Sequence, residues 1–115
     1  MKKAGQIAVV QFPTIALNEG KPRPVLLIAP LPGPHEDWLV SVFSTQLQQA
    51  LEGFDEILDE TQSDFQASGL KVASVIRVAR LAVVPANMLV GSIGDISPER
   101  LQRIQQKLAA WIVSP

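Results

Sequence analysis

The stretch Gly20–Ala29, with the sequence GKPRPVLLIA, joins a proline-flanked cation to a run of apolar residues. Val25–Ala29 has the aliphatic, β-branched composition of a strand that is buried on both faces, so we expect it in the core. Pro22 and Pro24 restrict the backbone on either side of Arg23 and favour an extended conformation there. The sequence therefore predicts that the Arg23 guanidinium is presented from a stiff segment anchored in the core.

The segments on either side of this stretch have the composition of short strands. The predicted strands are Ile7–Phe12, Val25–Ala29, Trp38–Phe43, Asp55–Leu58 and Val72–Val84, the last interrupted near Arg77–Arg80. Leu47 and Leu51 lie four apart among glutamines, which fits either a short helical turn or the end of a strand. Turn-forming prolines and glycines separate the segments, as expected for a sheet with short connections.

The C-terminal segment predicts a helix. Ser97 suits the N-cap, Pro98 the first helical position, and Glu99 the first turn, where the helix dipole favours an acid. Apolar residues then recur at three- and four-residue spacing and form one stripe: Leu101, Ile104, Leu108, Trp111 and Ile112. Strands followed by one amphipathic helix predict a mainly β fold, a small barrel or half-barrel closed by a C-terminal α-helix.

Composition limits the classes of function. The chain has 115 residues, 47% hydrophobic and 18% charged, which predicts one folded domain spanning residues 1–115. It has no cysteine, which excludes disulfides, thiolate metal sites and a cysteine nucleophile. The apolar stretch near the N-terminus is too short for a signal peptide, and no run reaches the ~18 apolar residues of a membrane span. We therefore expect a cytoplasmic protein with no membrane partner.

Charged residues are segregated along the chain. The segment Pro24–Leu70 holds most of the acidic residues and neither lysine nor arginine. This distribution is compatible with a cationic face assembled from the two ends of the chain. Arg77 and Arg80 could be ordinary surface charges or a strip that meets a polyanion, and the sequence leaves both interpretations open.

The acidic cluster and the single histidine give little support to a metal site. Asp55, Glu56, Asp59 and Glu60 offer carboxylates, but adjacent strand residues face opposite ways and no second acidic cluster completes a ligand shell. We expect these residues to form a solvated acidic edge that discourages association between sheets. His35 is the only histidine, which excludes a catalytic triad and a multi-histidine metal site, and we expect it to be an exposed loop residue.

Arg23 and Ser44 are the residues best suited to phosphate chemistry. The planar fork of an arginine can hold two phosphate oxygens at once, although Arg23 could instead pair with Glu19 at the surface. Ser44 and Thr45 follow the third predicted strand, where functional groups are commonly presented. Without a histidine base Ser44 is a poor nucleophile, but it can donate a hydrogen bond to a phosphate oxygen or simply cap a turn.

Five segments, taken in order, resemble the MazF/PemK family of toxins. They are GQIAVVQFP (Gly5–Pro13), GKPRPVLLIA (Gly20–Ala29), LVSVFSTQL (Leu39–Leu47), SGLKVASVIR (Ser68–Arg77) and GSIGDISPERLQRI (Gly91–Ile104). The resemblance implies an SH3-like barrel with a C-terminal helix that forms a homodimer. It also implies an endoribonuclease of a type II toxin–antitoxin system, which cleaves single-stranded RNA and is held silent by a cognate antitoxin.

The same resemblance implies roles for individual residues. Arg23 falls on the family's catalytic arginine, and Ser44 falls on its catalytic threonine or serine after the third strand. The residues expected to bind RNA are Lys21, Thr45, Ser74 and Arg77. Because RNA supplies its own nucleophile, the 2′-hydroxyl, we expect no metal and no other cofactor. The alternative is a non-catalytic SH3-like barrel that acts as a binding or growth-regulatory module.

Overall fold

The computed structural model describes residues 2–11 and 22–115. These residues form an antiparallel sheet with strand order β4-β5-β3-β2-β1-β6. The strands are β1 (Gln6–Val10), β2 (Arg23–Pro30), β3 (Asp37–Ser44), β4 (Glu56–Leu58), β5 (Ser74–Pro85) and β6 (Leu89–Asp95). The helices are α1 (Phe65–Ser68) and α2 (Pro98–Val113), and single 3₁₀ turns span Leu47–Gln49 and Ala86–Met88. The predicted mainly β fold, a small SH3-like barrel with a C-terminal helix, is confirmed.

The sheet has an apolar core on each face. One core packs against α2 through Ile104 and Leu108, and the other lies on the opposite side of the strands. Alternate residues of β2 contribute to the two cores, with Leu26 and Ile28 on the helix side and Val25 and Leu27 on the other. The predicted burial of β2 on both faces is therefore confirmed, and it fixes the segment that follows Pro24.

Strand β6 was not predicted from the sequence. Gly91, Ser92 and Gly94 give it a weak strand pattern, since glycine is poorly represented in strands. Glycine is nevertheless required, because a Cβ at Gly94 would collide with the backbone oxygen of Ala67 at α1. Gly69 ends α1 with a positive φ of 75°, and a Cβ there would collide with the backbone oxygen of Ile93. The close approach of α1 to β6 helps to close the barrel.

Strand β5 contains a bulge at the predicted interruption. Ser41 of β3 pairs with Leu81, whereas the next residue, Val42, pairs with Arg77, so residues 78–80 lie outside the regular ladder. Side chains satisfy the backbone of the bulge at Val78: its carbonyl accepts from Ser41 Oγ at 3.0 Å, and its N–H donates to Asp55 Oδ1 at 3.0 Å. The bulge therefore ties β5 to the segment that contains Asp55.

Helix α2 begins as predicted but does not bury its whole apolar stripe. Ser97 Oγ accepts from the backbone N–H of Arg100 at 3.1 Å, and Pro98 is the first helical residue. Ile104 is fully buried, but Trp111 is 49% exposed and Ile112 is 66% exposed. The predicted apolar stripe is therefore buried at Ile104 and Leu108 and largely exposed in the last turn of the helix. Trp111 keeps an edge-to-face contact with Phe54.

The expected solvated acidic edge is wrong for Asp55 and Glu56. The Asp55 side chain is 2% exposed, and that of Glu56 is 7% exposed. Glu56 accepts from Arg100 Nη1 at 2.7 Å, from Arg103 Nη2 at 2.8 Å and from Lys107 Nζ at 2.6 Å. The cations of α2 are thus neutralised by acids of the same molecule, so they do not form part of a free cationic face.

Asp64 completes this buried ionic cluster, which we define as Glu56, Asp64, Arg100, Arg103 and Lys107. Arg100 donates to both carboxylate oxygens of Asp64, at 2.8 Å through Nε and 3.1 Å through Nη2. Burial disfavours the charged form of Glu56, but hydrogen bonds from Arg103 and Lys107 outweigh it and hold its pKa below the ordinary value. For Asp64, the bonds from Arg100 and from the Ser97 N–H likewise outweigh burial and lower the pKa.

Candidate functional site

The start of β2 and the end of β3 meet at one end of the sheet. The antiparallel register pairs Val25 with Val42, and two residues further along each strand are Arg23 and Ser44. Because side chains alternate along a strand, Arg23 and Ser44 point to the same face as that pair. A cavity of about 230 Å³ opens beside them, lined by Arg23, Pro24, Phe43, Ser44, Thr45 and Ser74. Four residues of the predicted site therefore line one cavity.

Arg23 is the first residue of β2 and pairs with Val10 of β1. Its side chain is exposed, and no residue within 2–11 or 22–115 forms an ion pair or a hydrogen bond with its guanidinium. The alternative partner, Glu19, lies outside the described residues, as does Lys21, one of the predicted RNA-binding residues. The guanidinium is therefore anchored through its backbone in the sheet while its charge faces solvent.

Ser44 is the last residue of β3, and both sides of its hydroxyl are engaged. Ser44 Oγ accepts from the backbone N–H of Gln46 at 3.0 Å and lies 3.1 Å from Gln49 Oε1. An amide oxygen can only accept, so the single hydroxyl proton is donated to Gln49. The turn-capping role considered for Ser44 is present in the Gln46 contact, and the hydroxyl proton is directed at an exposed side chain.

Arg77 reaches Ser44 through the same glutamine. Arg77 Nη1 donates to Gln49 Oε1 at 2.9 Å, and Arg77 Nε donates to Asp55 Oδ2 at 3.2 Å. Asp55 Oδ2 also accepts from the backbone N–H of Leu51 at 3.0 Å. The structure thus connects Arg77 to Ser44 by hydrogen bonds, although Arg77 is not among the residues that line the cavity. We call Ser44, Gln49, Asp55 and Arg77 the polar relay.

The other predicted residues contribute differently. Ser74 is buried, and its hydroxyl donates to the backbone oxygen of Val72 at 3.0 Å, so it forms part of the cavity wall. Thr45 is exposed at the cavity mouth. His35 lines a different cavity with Glu36 and Asn87, and it is exposed, as expected.

Gln49 and Asp55 were not predicted as site residues. Gln49 lies in the 3₁₀ turn after β3, and no feature of its sequence neighbourhood distinguishes it from Gln46 or Gln48. Asp55 contacts Arg77 across 22 residues of sequence. The nearest signal in the sequence was the interruption predicted near Arg77–Arg80, because an interrupted strand leaves backbone groups that a side chain must satisfy.

The described residues were also compared with the requirements of a membrane-spanning helix and of a metal site. None of their helices is both long enough and apolar enough to cross a membrane. Within 2–11 and 22–115, histidine, aspartate and glutamate side chains do not gather in a group of three or more that could hold a metal ion.

A model of the PemK-like, MazF-like toxins of type II toxin–antitoxin systems matches residues 3–112. The chain belongs to this family. Membership implies the toxin component of a type II toxin–antitoxin system, and therefore an antitoxin as its protein partner. A comparison with curated proteins gives no significant match. In this PemK/MazF-type chain, Arg23, Ser44, Thr45 and Ser74 line one cavity.

Proposed function

We propose that the protein is a metal-independent endoribonuclease that cleaves single-stranded RNA and thereby inhibits growth. One observation carries the proposal: in a chain of the PemK/MazF family, the hydroxyl of Ser44 borders the same cavity as the backbone-anchored Arg23, which has no side-chain partner among the described residues. An arginine and a hydroxyl are donors suited to a phosphate, and an exposed cavity at the end of a sheet admits a flexible single strand.

In the proposed reaction the RNA supplies the nucleophile. The 2′-hydroxyl loses its proton to water as its oxygen attacks the adjacent phosphorus, and the bond from phosphorus to the 5′-oxygen breaks. The departing 5′-oxygen takes a proton from water, so the products carry a 2′,3′-cyclic phosphate and a 5′-hydroxyl. Negative charge accumulates on the non-bridging oxygens in the transition state, so donors aimed at those oxygens accelerate the step. Arg23 supplies a fixed positive charge and two donors, and Ser44 turns its hydroxyl proton from Gln49 to a non-bridging oxygen.

The remaining predicted residues would bind the strand on either side of the reacting phosphate. Thr45 offers a hydroxyl at the cavity mouth, Ser74 forms the wall, and Arg77 adds a positive charge beside Ser44. Lys21 is proposed for the same role from the sequence. A second copy of the chain completes the proposed assembly as a homodimer, and an antitoxin segment that covers Arg23 would exclude RNA by charge and by shape.

The decisive experiment incubates the purified protein with a long single-stranded RNA in EDTA. We expect cleavage with 2′,3′-cyclic phosphate ends, while single-stranded DNA of the same sequence stays intact. Arg23→Ala should lose about 100-fold or more of the rate, the usual cost of one transition-state donor. Arg23→Lys should also lose most activity because lysine lacks the planar fork, whereas Arg80→Lys, an exposed arginine on β5, is the matched control.

Ser44 gives a second variant series in the same assay. Ser44→Ala should be impaired and Ser44→Thr should remain active, because the reaction needs only the hydroxyl. Cleavage that stops in EDTA, or full activity in Arg23→Ala, would return the chain to the non-catalytic binding module. Light scattering on the same sample tests the homodimer, and a mass near 12.5 kDa across a dilution series would contradict it.

A further inference from the structure

The amide oxygen of Gln49 accepts hydrogen bonds from two groups that the proposed function directs at RNA. Ser44 Oγ lies 3.1 Å from Gln49 Oε1, and Arg77 Nη1 lies 2.9 Å from the same atom. Two donors from different strands therefore converge on one oxygen. A hydroxyl has a single proton, and Ser44 gives it to Gln49, so Ser44 cannot donate to another acceptor while this hydrogen bond persists.

Further hydrogen bonds fix the positions of the two donors, Ser44 and Arg77, whereas among the described residues the Gln49 side chain forms hydrogen bonds only with these two donors. Arg77 is fixed by its Nε bond to Asp55, whose side chain is 2% exposed and also accepts from the backbone N–H groups of Leu51 and Val78. Ser44 is fixed by β3 and by the N–H of Gln46. Gln49 is exposed at the end of a single 3₁₀ turn. Among these groups, Gln49 is the one that can leave with the smallest disturbance of the fold.

A phosphate oxygen is a stronger acceptor for these donors than an amide oxygen. Arg77 is charged, so a phosphate oxygen adds the attraction between opposite charges, which the neutral amide oxygen of Gln49 does not supply. The exchange of Gln49 for a phosphate oxygen is therefore favourable, whereas exchange for another neutral acceptor gains nothing. This difference would favour the phosphates of a nucleic acid over neutral polar ligands at the same position.

We propose that the Gln49 side chain is an internal competitor of the RNA phosphate. Its amide oxygen occupies the position of one non-bridging phosphate oxygen in the free protein, keeps Ser44 and Arg77 aimed at that point, and departs when RNA binds. The identity of the anion rests on the proposed function. The competition itself rests on the convergence of the two donors on Gln49 Oε1.

The test separates binding from cleavage by using a single-stranded oligoribonucleotide with fluorine at every 2′ position. This probe keeps the phosphates but lacks the nucleophile, so its Kd is measured without turnover. Gln49→Ala removes the competitor and should lower the Kd about three- to tenfold, the range of one hydrogen bond. Gln49→Glu places a carboxylate against Arg77 and repels the phosphate, so it should raise the Kd about tenfold or more.

Gln48 provides matched controls one residue away. Its side chain donates to Gln46 Oε1 at 2.9 Å, not to a member of the polar relay. Gln48→Ala should leave the Kd unchanged, and Gln48→Glu measures the effect of a nearby negative charge alone, which should be smaller than that of Gln49→Glu. Thermal unfolding of each variant confirms that the exposed substitution leaves the fold intact.

The outcomes distinguish this inference from the proposed enzyme. Weaker or unchanged binding in Gln49→Ala would overturn the inference, because a purely supporting glutamine gives that result even if the protein cleaves RNA. Tighter binding in Gln49→Ala without any cleavage by the wild-type protein would keep the competitor and refute the nuclease. If neither the wild-type protein nor any variant binds the probe, the inference fails, whereas cleavage of unmodified RNA still decides the nuclease.

Discussion

Asp55 and Glu56 are neighbours in the chain, yet their carboxylates take part in two different clusters. Asp55 faces Arg77 and, through it, reaches Gln49 and the candidate site. Glu56 points to the opposite side and contacts three cations of α2. Adjacent residues at a strand face opposite ways, so two identical charges one residue apart are separated by the sheet itself.

The two clusters differ in what they leave available. In the buried ionic cluster, Arg100 uses three of its nitrogens on acids, and both of its partners are at most 7% exposed. In the polar relay, the terminal acceptor is an exposed glutamine, and we propose that a phosphate oxygen replaces it. Burial and full pairing indicate a structural role, whereas convergent donors on a replaceable acceptor indicate a binding role.

The largest expected effect breaks the buried ionic cluster. Arg100→Ala removes the shared partner of Glu56 and Asp64: Asp64 loses both of its side-chain hydrogen bonds, whereas Glu56 keeps those from Arg103 and Lys107. We expect a loss of about 3–5 kcal/mol in the free energy of unfolding, measured by urea denaturation. Arg103→Ala is the control: its side chain is 51% exposed, so the loss should stay below about 1 kcal/mol. Equal losses in the two variants would contradict a structural role that depends on burial.

Acid should remove a smaller part of the same stability. The folded-state pKa values of Glu56 and Asp64 lie below the ordinary values of 4.5 and 3.8. A lowered folded pKa gives stability that is present above the unfolded pKa and is lost as the pH falls through the folded value. Urea denaturation between pH 7 and pH 3 should therefore show a decline that begins near 4.5. Glu56→Gln should flatten that decline, and an equally steep decline in this variant would exclude Glu56 as its source.

The sequence predicted the barrel well because its elements carry local signals. The buried strand after Pro24 and the cap at Ser97 are readable from composition and from fixed backbone preferences. The sequence did not predict that Asp55 and Glu56 belong to two different clusters. Glu56 contacts Arg100, which is 44 residues away in the sequence, and Asp55 contacts Arg77, which is 22 residues away. Likewise, β6 requires glycine for its contact with α1, and glycine weakens the sequence pattern by which a strand is predicted.

The residues of the candidate site could be selected from the sequence to the same extent. Arg23 and Ser44 follow from their positions at strand ends, and the antiparallel register brings those ends together. Gln49 carries no signal, because its role depends on the direction of Arg77, and that direction depends on the bulge at Val78. Residues that act through tertiary hydrogen bonds are therefore the ones that a single sequence conceals.

We expect the smallest effect when the same type of substitution is made at two adjacent positions, Asp55 and Glu56. Asp55→Asn and Glu56→Gln each replace a carboxylate with its amide, which keeps the shape and removes the charge. Asp55 accepts from Arg77, Leu51 and Val78, and an asparagine offers one oxygen instead of two. Arg77 should then be held less firmly in position. The KM for RNA should rise roughly tenfold, which corresponds to the loss of one charged hydrogen bond, and kcat should change less.

Glu56→Gln should give the opposite pattern. It weakens the bonds from Arg103 and Lys107 and lowers the free energy of unfolding, yet it lies on the far side of the sheet from Arg77 and Gln49. Its KM and kcat, measured well below its unfolding temperature, should match those of the wild-type protein. If Glu56→Gln raised the KM as much as Asp55→Asn does, the two clusters would be coupled through β4. Their separation by the alternation of the strand, on which the comparison depends, would then be wrong.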